Sequence, residues 1–180
     1  MKKMKKLLAA LIASVALVGS AAALTPGDIF LNYGGNINEG DSIGTLSIAL
    51  PWDLISNGSG HLPVFVGEYE FAAKVGPVPF TFGGYASATG WWDSEFGGAR
   101  LNAGVSAKYH MAVPPVDGLD LFLGTKLGIG FNIGHLPAGS TYVGFDWGMD
   151  VGVSYWFNDT FGITGALGYP SGRIGAAFKF

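Results

Sequence analysis

Between residue 64 and the C-terminus, seven segments (64–75, 80–92, 100–113, 119–133, 142–157, 160–169 and 173–180) alternate between two kinds of residue with a period of two. Segment 119–133 shows the pattern: Leu119, Leu121, Leu123, Leu127, Ile129, Phe131 and Ile133 stand on one parity, and Asp120, Gly124, Lys126, Gly128, Gly130 and Asn132 on the other. Such alternation belongs to β-strands with two unlike faces. The charges sharpen it. Glu68, Glu70, Lys74, Arg100, Lys108, Asp120, Lys126, Asp146, Asp150, Arg173 and Lys179 all fall on the Gly-rich face, and no charge falls on the apolar one.

Two closed barrels satisfy this pattern. A soluble barrel turns its apolar face inward, and a membrane barrel turns it out to lipid. The distribution of bulk favours the membrane. Leu, Phe, Trp and Val crowd the apolar face, whereas Gly collects opposite, where a crowded lumen needs small residues. Gly makes up 30 of 180 residues, far above the average of about 7%. Aromatic residues (Trp91, Trp92, Tyr155, Trp156, Phe157, Phe161, Tyr169) gather near segment ends, where interface girdles are expected. A closed barrel also satisfies every backbone group without water.

Turn signals divide into two sets. Gly76-Pro77-Val78-Pro79, 113–118 and 157–160 lie at one end, and 93–97, 134–140 and 170–172 at the other. With the C-terminus at a periplasmic rim, the second set faces outside. Both termini on one side require an even number of strands, so an eighth must precede residue 64, and 28–37 competes with 42–50 for that place. The expected fold is an all-β, antiparallel, eight-stranded transmembrane up-and-down barrel, with 38–63 as a long first external region containing Asn57-Gly58-Ser59-Gly60.

The N-terminus reads as a leader. Lys2, Lys3, Lys5 and Lys6 precede an uncharged, mostly apolar run over 7–18, and Ala21 and Ala23 form an A-x-A cleavage pair. The run is shorter than the roughly 20 residues of a spanning helix. We expect residues 1–23 to be a cleavable signal peptide and 24–180 the barrel domain. Cleavage removes four of the ten basic residues, leaving six against thirteen acids, a net charge of −7. Nucleic acid is therefore not an expected partner. The absence of Cys excludes a disulfide framework and a lipid-anchored cysteine.

The last eight residues resemble the C-terminal signal read by the bacterial outer-membrane assembly machinery, with Arg173, Gly175, Phe178 and the terminal Phe180 at the matching places. The stretch Tyr155-Trp-Phe-Asn-Asp-Thr-Phe-Gly162, then Leu167-Gly-Tyr169, is similar to the end of small opacity-type and OmpX-like outer-membrane barrels. Gly27-Asp-Ile-Phe-Leu-Asn-Tyr-Gly34 resembles their first strand, which favours 28–37 as strand one. The resemblance implies residence in the outer membrane of a diderm bacterium, and contact with outer-membrane lipid and, during biogenesis, with the assembly machinery. It carries over no activity.

An eight-stranded lumen is about wide enough for side chains, and unpaired buried charge is costly. Glu68, Glu70, Asp120, Asp146 and Asp150 are therefore expected to form an internal ion-pair network with Lys74, Arg100, Lys108, Lys126 and Arg173. That network favours a plugged, non-enzymatic barrel, monomeric, with a structural or surface-interaction role. A narrow channel for small solutes is the alternative, and a lipid-modifying enzyme a further one. For catalysis, His110 shares the lumen face with Ser106, four residues away along a strand and too far for direct contact. His61 and His135 fall in candidate external loops with no ligand spacing, so neither metal nor cofactor is expected. The glycines of 128–134 superficially suggest a dinucleotide fingerprint, but no helix follows them. Trp91-Trp92-Asp93-Ser94-Glu95-Phe96 forms an aromatic and acidic rim, read as an interface anchor or a contact patch for a surface ligand.

Overall fold

Alternation closes this chain into a ring of strands. The computed structural model describes residues 26–51, 60–92, 95–114, 116–136, 140 and 142–180; the leader at 1–23 and the turn residues 57–59 lie outside them. A short helix α1 (Pro26–Phe30) is followed by β1 (Ser42–Pro51), a two-residue strand β2 (Gly60–His61), β3 (Val64–Val75), β4 (Val78–Trp92), β5 (Gly97–Ala112), β6 (Leu119–His135), β7 (Val143–Trp156), β8 (Phe161–Tyr169) and β9 (Ser171–Lys179). β3 to β9 pair in sequence as antiparallel neighbours, and β1 bridges β3 to β9. The closing ladder runs from Ile43 opposite Lys179 to Pro51 opposite Ser171. The result is a closed, eight-stranded up-and-down β-barrel, with β2 continuing the line of β3 alongside Trp91 and Trp92 of β4. Among the described residues no helix is long and apolar enough to cross a membrane.

The faces follow the alternation. Leu46, Phe65, Tyr69, Phe82, Leu101, Val105, Leu123, Leu127, Trp147, Val151, Leu167 and Ile174 are exposed on the outside, while Glu68, Glu70, Thr81, Tyr85, Lys108, His110, Asp120 and Phe122 are buried inside. A water-soluble barrel would show the reverse. This apolar exterior, on a closed wall with no free edge around most of its girth, is the form a transmembrane strand protein must take.

The ends of the barrel differ. One, the terminal end, holds the start of β1, the end of β9 and the connections after β3, β5 and β7. The β3–β4 connection is Gly76-Pro77, flanked by the pair Val75 and Val78. Gly76 has φ +63° and the Pro77 ring fixes a negative φ, an order that suits the hairpin's right-handed twist. Outward aromatic rings form a chain along this rim, Tyr155 to Phe157 to Phe161 to Phe178, with centroids 5.3, 5.8 and 5.5 Å apart. The other, the loop end, has an uneven wall: β5 and β6 run for 16 and 17 residues, but β8 and β9 for only 9 each.

Three expectations need correction. Strand one is Ser42–Pro51, not 28–37. Residues 42–51 are thus barrel wall, which removes ten residues from the supposed external region 38–63. Both segments alternate, but 28–37 contains Gly34 and Gly35, which are buried where the chain crosses the terminal mouth. Trp156 is not an interface anchor. It is 3% exposed and packs inside with Ile37, Ile43, Ala72 and Ala177, on the parity of Ser154 and Asp150.

A charged lumen as the candidate functional site

The inward residues stack in three tiers. In the middle, Glu68 on β3 has no exposed side-chain surface and meets three cations: Lys108 at 2.9 Å, Lys126 at 2.5 Å and Arg173 at 2.5 Å. Glu70, one inward position along, takes Lys108 at 2.8 Å and accepts the Ser106 hydroxyl at 3.1 Å. Asp150 receives Arg173 at 2.8 Å and stands 4.0 Å from Lys126. β3, β5, β6, β7 and β9 thus contribute to one knot, which only closure of the barrel brings together.

Toward the loop end, Asp146 accepts the Tyr85 hydroxyl at 2.5 Å and lies 3.8 Å from Arg100. Arg100 donates to Asn102 Oδ1 at 2.8 Å, and Asn102 donates to Ser87 at 3.0 Å. Lys126 Nζ lies 5.5 Å over the Tyr85 ring and joins this tier to the knot.

Toward the terminal end, His110 Nδ1 is 2.9 Å from Asp120 Oδ2 and its Nε2 is 3.0 Å from Thr81 Oγ1. Phe122 separates this group from the knot, with Lys108 Nζ 5.2 Å from its ring centre. Hydroxyl, imidazole and carboxylate stand here in the order of a nucleophile–base–acid relay. Access, not order, is what it lacks: Thr81 and Asp120 are wholly buried and His110 is 3% exposed.

The glycines make room for these side chains. A Cβ on Gly130 would come within 2.5 Å of Arg100 Nη2, and one on Gly124 would collide with the Asp150 carboxylate. The Phe122 ring fills the space beside Gly152. The bulk of the lumen is therefore carried by a few charged and aromatic side chains laid over Gly backbone.

Of the ten sequence-expected network residues, Glu68, Glu70, Lys108, Lys126, Asp150 and Arg173 lie in the knot, and Arg100 and Asp146 pair nearer the loop end. Lys74 does not join. It is exposed at the end of β3 beside the Gly76 turn, on the correct parity but beyond the mouth. Asp120 pairs with His110 instead of a lysine or arginine. Lys179, left out of the expected network, pairs with Asp41 at 3.1 Å at the terminal rim. Sequence reasoning weighed His110 against Ser106 and missed its actual partners, Thr81 and Asp120. The hairpin register, which sets Ala112 opposite Asp120, was the signal that could have shown the second.

The residues of the C-terminal signal divide between faces. Arg173 and Gly175 point inward, with Gly175 against Ser47. Phe178 stands in the outer aromatic chain, and Phe180 is 80% exposed, its backbone N–H donating to Ser42 O at 2.9 Å. At the loop end His135 stacks with Phe96, centroids 5.3 Å apart, and Trp92 is exposed; Asp93 and Ser94 lie outside the described residues.

No protein-family model matches the chain, and the comparison with curated proteins finds no match. Solved structures are. A de novo designed transmembrane β-barrel is 14% identical, covering 80% of this chain and 98% of its own, with a TM-score of 0.51. The N-terminal β-barrel domain of Pseudomonas aeruginosa OprF is 16% identical, covering 79% and 98%, with a TM-score of 0.51. Ail, the attachment invasion locus protein of Yersinia pestis, is 13% identical, covering 79% and 100%, with a TM-score of 0.49. The first two share this chain's fold, a small transmembrane barrel.

Proposed function

We propose that this chain is an integral outer-membrane barrel of a diderm bacterium with a structural or surface-interaction role, its lumen closed by ion pairs and its activity non-enzymatic. The observation that carries the reading is Glu68, fully buried between Lys108, Lys126 and Arg173. Four acids (Glu68, Glu70, Asp146, Asp150) and four bases (Arg100, Lys108, Lys126, Arg173) interlock across the lumen. A buried carboxylate so held forms a rigid obstruction, since moving any one partner leaves another charge uncompensated at low dielectric. With the bore obstructed at the knot, what remains for function is the outer apolar belt, which lipid covers, and the loop-end rim around Trp92 and Phe96, which loops usually use for recognition.

Localisation follows from the same chemistry. A leader at 1–23 would export the chain, and Arg173, Gly175, Phe178 and Phe180 would present the assembly signal to the outer-membrane machinery. The fold shared with a designed transmembrane β-barrel supports the membrane part of this reading. The test is single-channel recording of the refolded chain in a planar bilayer, with a heat-shift gel confirming a closed barrel. Silence from folded barrels is expected. Steady open currents would overturn the closed lumen and make the protein a narrow channel for small solutes.

A further inference from the structure

Residues 26–41 cross the terminal mouth of the barrel. α1 lies beside β5, where the Tyr109 hydroxyl donates to Phe30 O at 2.8 Å. The chain then turns inward. Tyr33 donates to Phe80 O on β4 at 2.9 Å, and its ring centre is 5.8 Å from that of His110; burial raises its phenol pKa above the usual range, so the hydroxyl stays a donor. Gly34 passes over β6 so closely that a Cβ would meet Asp120 Cα at 2.6 Å and Leu119 O at 2.7 Å. A Cβ on Gly35, at φ +58°, would come 2.5 Å from the Trp156 ring of β7. Ile37 is buried against Trp156, Ile43, Ala72 and Ala177. On the far side, Lys179 of β9 donates to Asn36 O at 2.5 Å and pairs with Asp41. Gly40 N and Asp41 O exchange bonds of 2.9 and 2.8 Å with Ala72 of β3. The segment thus touches β3, β4, β5, β6, β7 and β9.

We infer that residues 26–41 are a strap that seals the terminal mouth, a second closure in series with the ion-pair knot. The inference rests on the reading of the knot as the first closure. Its contacts share no residue with the knot, so the two release independently. The knot depends on charge, whereas the strap depends on close backbone approach at Gly34 and Gly35 and on burial of Tyr33 and Ile37. The eight strands close among themselves without it, so losing the strap's seat leaves the ring of strands intact. Beneath it, Asp120 Oδ1 and Trp156 Nε1 are buried without a hydrogen-bond partner among the described residues. An acceptor and a donor without partners thus lie beside the Gly34-Gly35 crossing.

Four refolded proteins test this: the starting chain, Gly34→Val, Glu68→Gln, and both together, each checked for a heat-shifted band and recorded in planar bilayers. Val at 34 cannot fit against the β6 backbone and should unseat the strap. Only the double variant is expected to conduct. Glu68→Gln conducting as well as the double variant would overturn the strap as a seal; if the double variant folds but stays silent, the knot holds without the charge of Glu68 and the thiol readout below decides. Currents from Gly34→Val alone would uphold the strap and instead refute the knot. Because the chain has no Cys, Ile37→Cys gives a separate readout. Its reaction with a charged maleimide should be at least about tenfold slower with the strap seated than with Gly34→Val, the factor being set by local opening. Equal rates would overturn the strap even if no variant conducts. Should Gly34→Val fail to fold, Tyr33→Ala with Lys179→Ala removes the strap's anchors instead, under the same criteria.

Discussion

Glu68→Gln should destabilise the barrel far more than removal of Lys126, and the reason is arithmetic in the knot. The amide keeps the shape of the carboxylate but loses its charge. Lys108 keeps Glu70 at 2.8 Å, and Arg173 keeps Asp150 at 2.8 Å. Lys126 is left with Asp150 at 4.0 Å, while its side chain is only 15% exposed. One buried cation is thus stranded and two are weakened. Breaking a buried pair from one side costs roughly 3–5 kcal/mol, and the partial compensation places Glu68→Gln at about 3 kcal/mol on that scale. Lys126→Met leaves Glu68 with two cations and should cost only about 1 kcal/mol by the same reasoning. Combining the two removes the stranded cation, so the double variant should be more stable than the sum of single effects predicts by about 1.5 kcal/mol, well outside the scatter of independent sites. Urea unfolding of protein refolded into phospholipid vesicles, followed by tryptophan fluorescence, measures all three. Additive effects, or equal costs for Glu68→Gln and Lys126→Met, would refute the assignment of Glu68 as the hub.

Three further outcomes follow from the same geometry. Leu123→Arg places a charge outside the wall at a position 50% exposed and should cost roughly 2–4 kcal/mol if that face meets hydrocarbon; an unchanged unfolding midpoint in lipid would contradict the face assignment. Gly152→Ala drives a methyl into the Phe122 ring and should cost about 1–3 kcal/mol by overpacking, whereas Gly144→Ala, with nothing within 4 Å, should be tolerated; the same unfolding assay compares them. Deleting Phe180 should sharply lower the amount of protein recovered in outer membranes, as read by fractionation and heat-shift gels, and normal recovery would remove this residue from the assembly signal.

Much of the wall was legible because a strand's period of two separates lipid from lumen without any tertiary information. Asp146, Asp150, Lys126 and Arg173 could each be set on the inner face from parity alone. Parity should also have placed Trp156 inside with Ser154, but its nearness to Tyr155 and Phe157 suggested a girdle. Strand one was less legible. Ser42–Pro51 and 28–37 both alternate, and only the pairing of β1 with both β3 and β9 decides between them. Individual pairings were beyond reach for a different reason. Glu68 meets Lys108 across the intervening β4 and Arg173 across β1, and such contacts depend on barrel closure and on side-chain length. Lys74 shows the limit from the other side: correct parity does not say whether a residue lies within the bore or past its rim.

The uneven wall fixes how deep this barrel can sit. β7 and β8 are last paired where Met149 faces Tyr169; above that level residues 143–147 keep β6 on one side and have no strand described on the other. Unpaired backbone groups cost several kcal/mol each in hydrocarbon, so with no described strand to pair them on this flank the oily layer is expected to stop there. Trp147 and Tyr169, ring centres 4.9 Å apart, sit at that level, where amphipathic rings prefer the headgroups. Below it, the nine residues of β8 span about 23 Å at ~3.4 Å per residue and a tilt of ~40°, close to the ~25 Å height of an outer-membrane apolar band. The waterline is thus drawn by the backbone. Val143 and Phe145, more than half exposed, ride above it despite their apolar side chains.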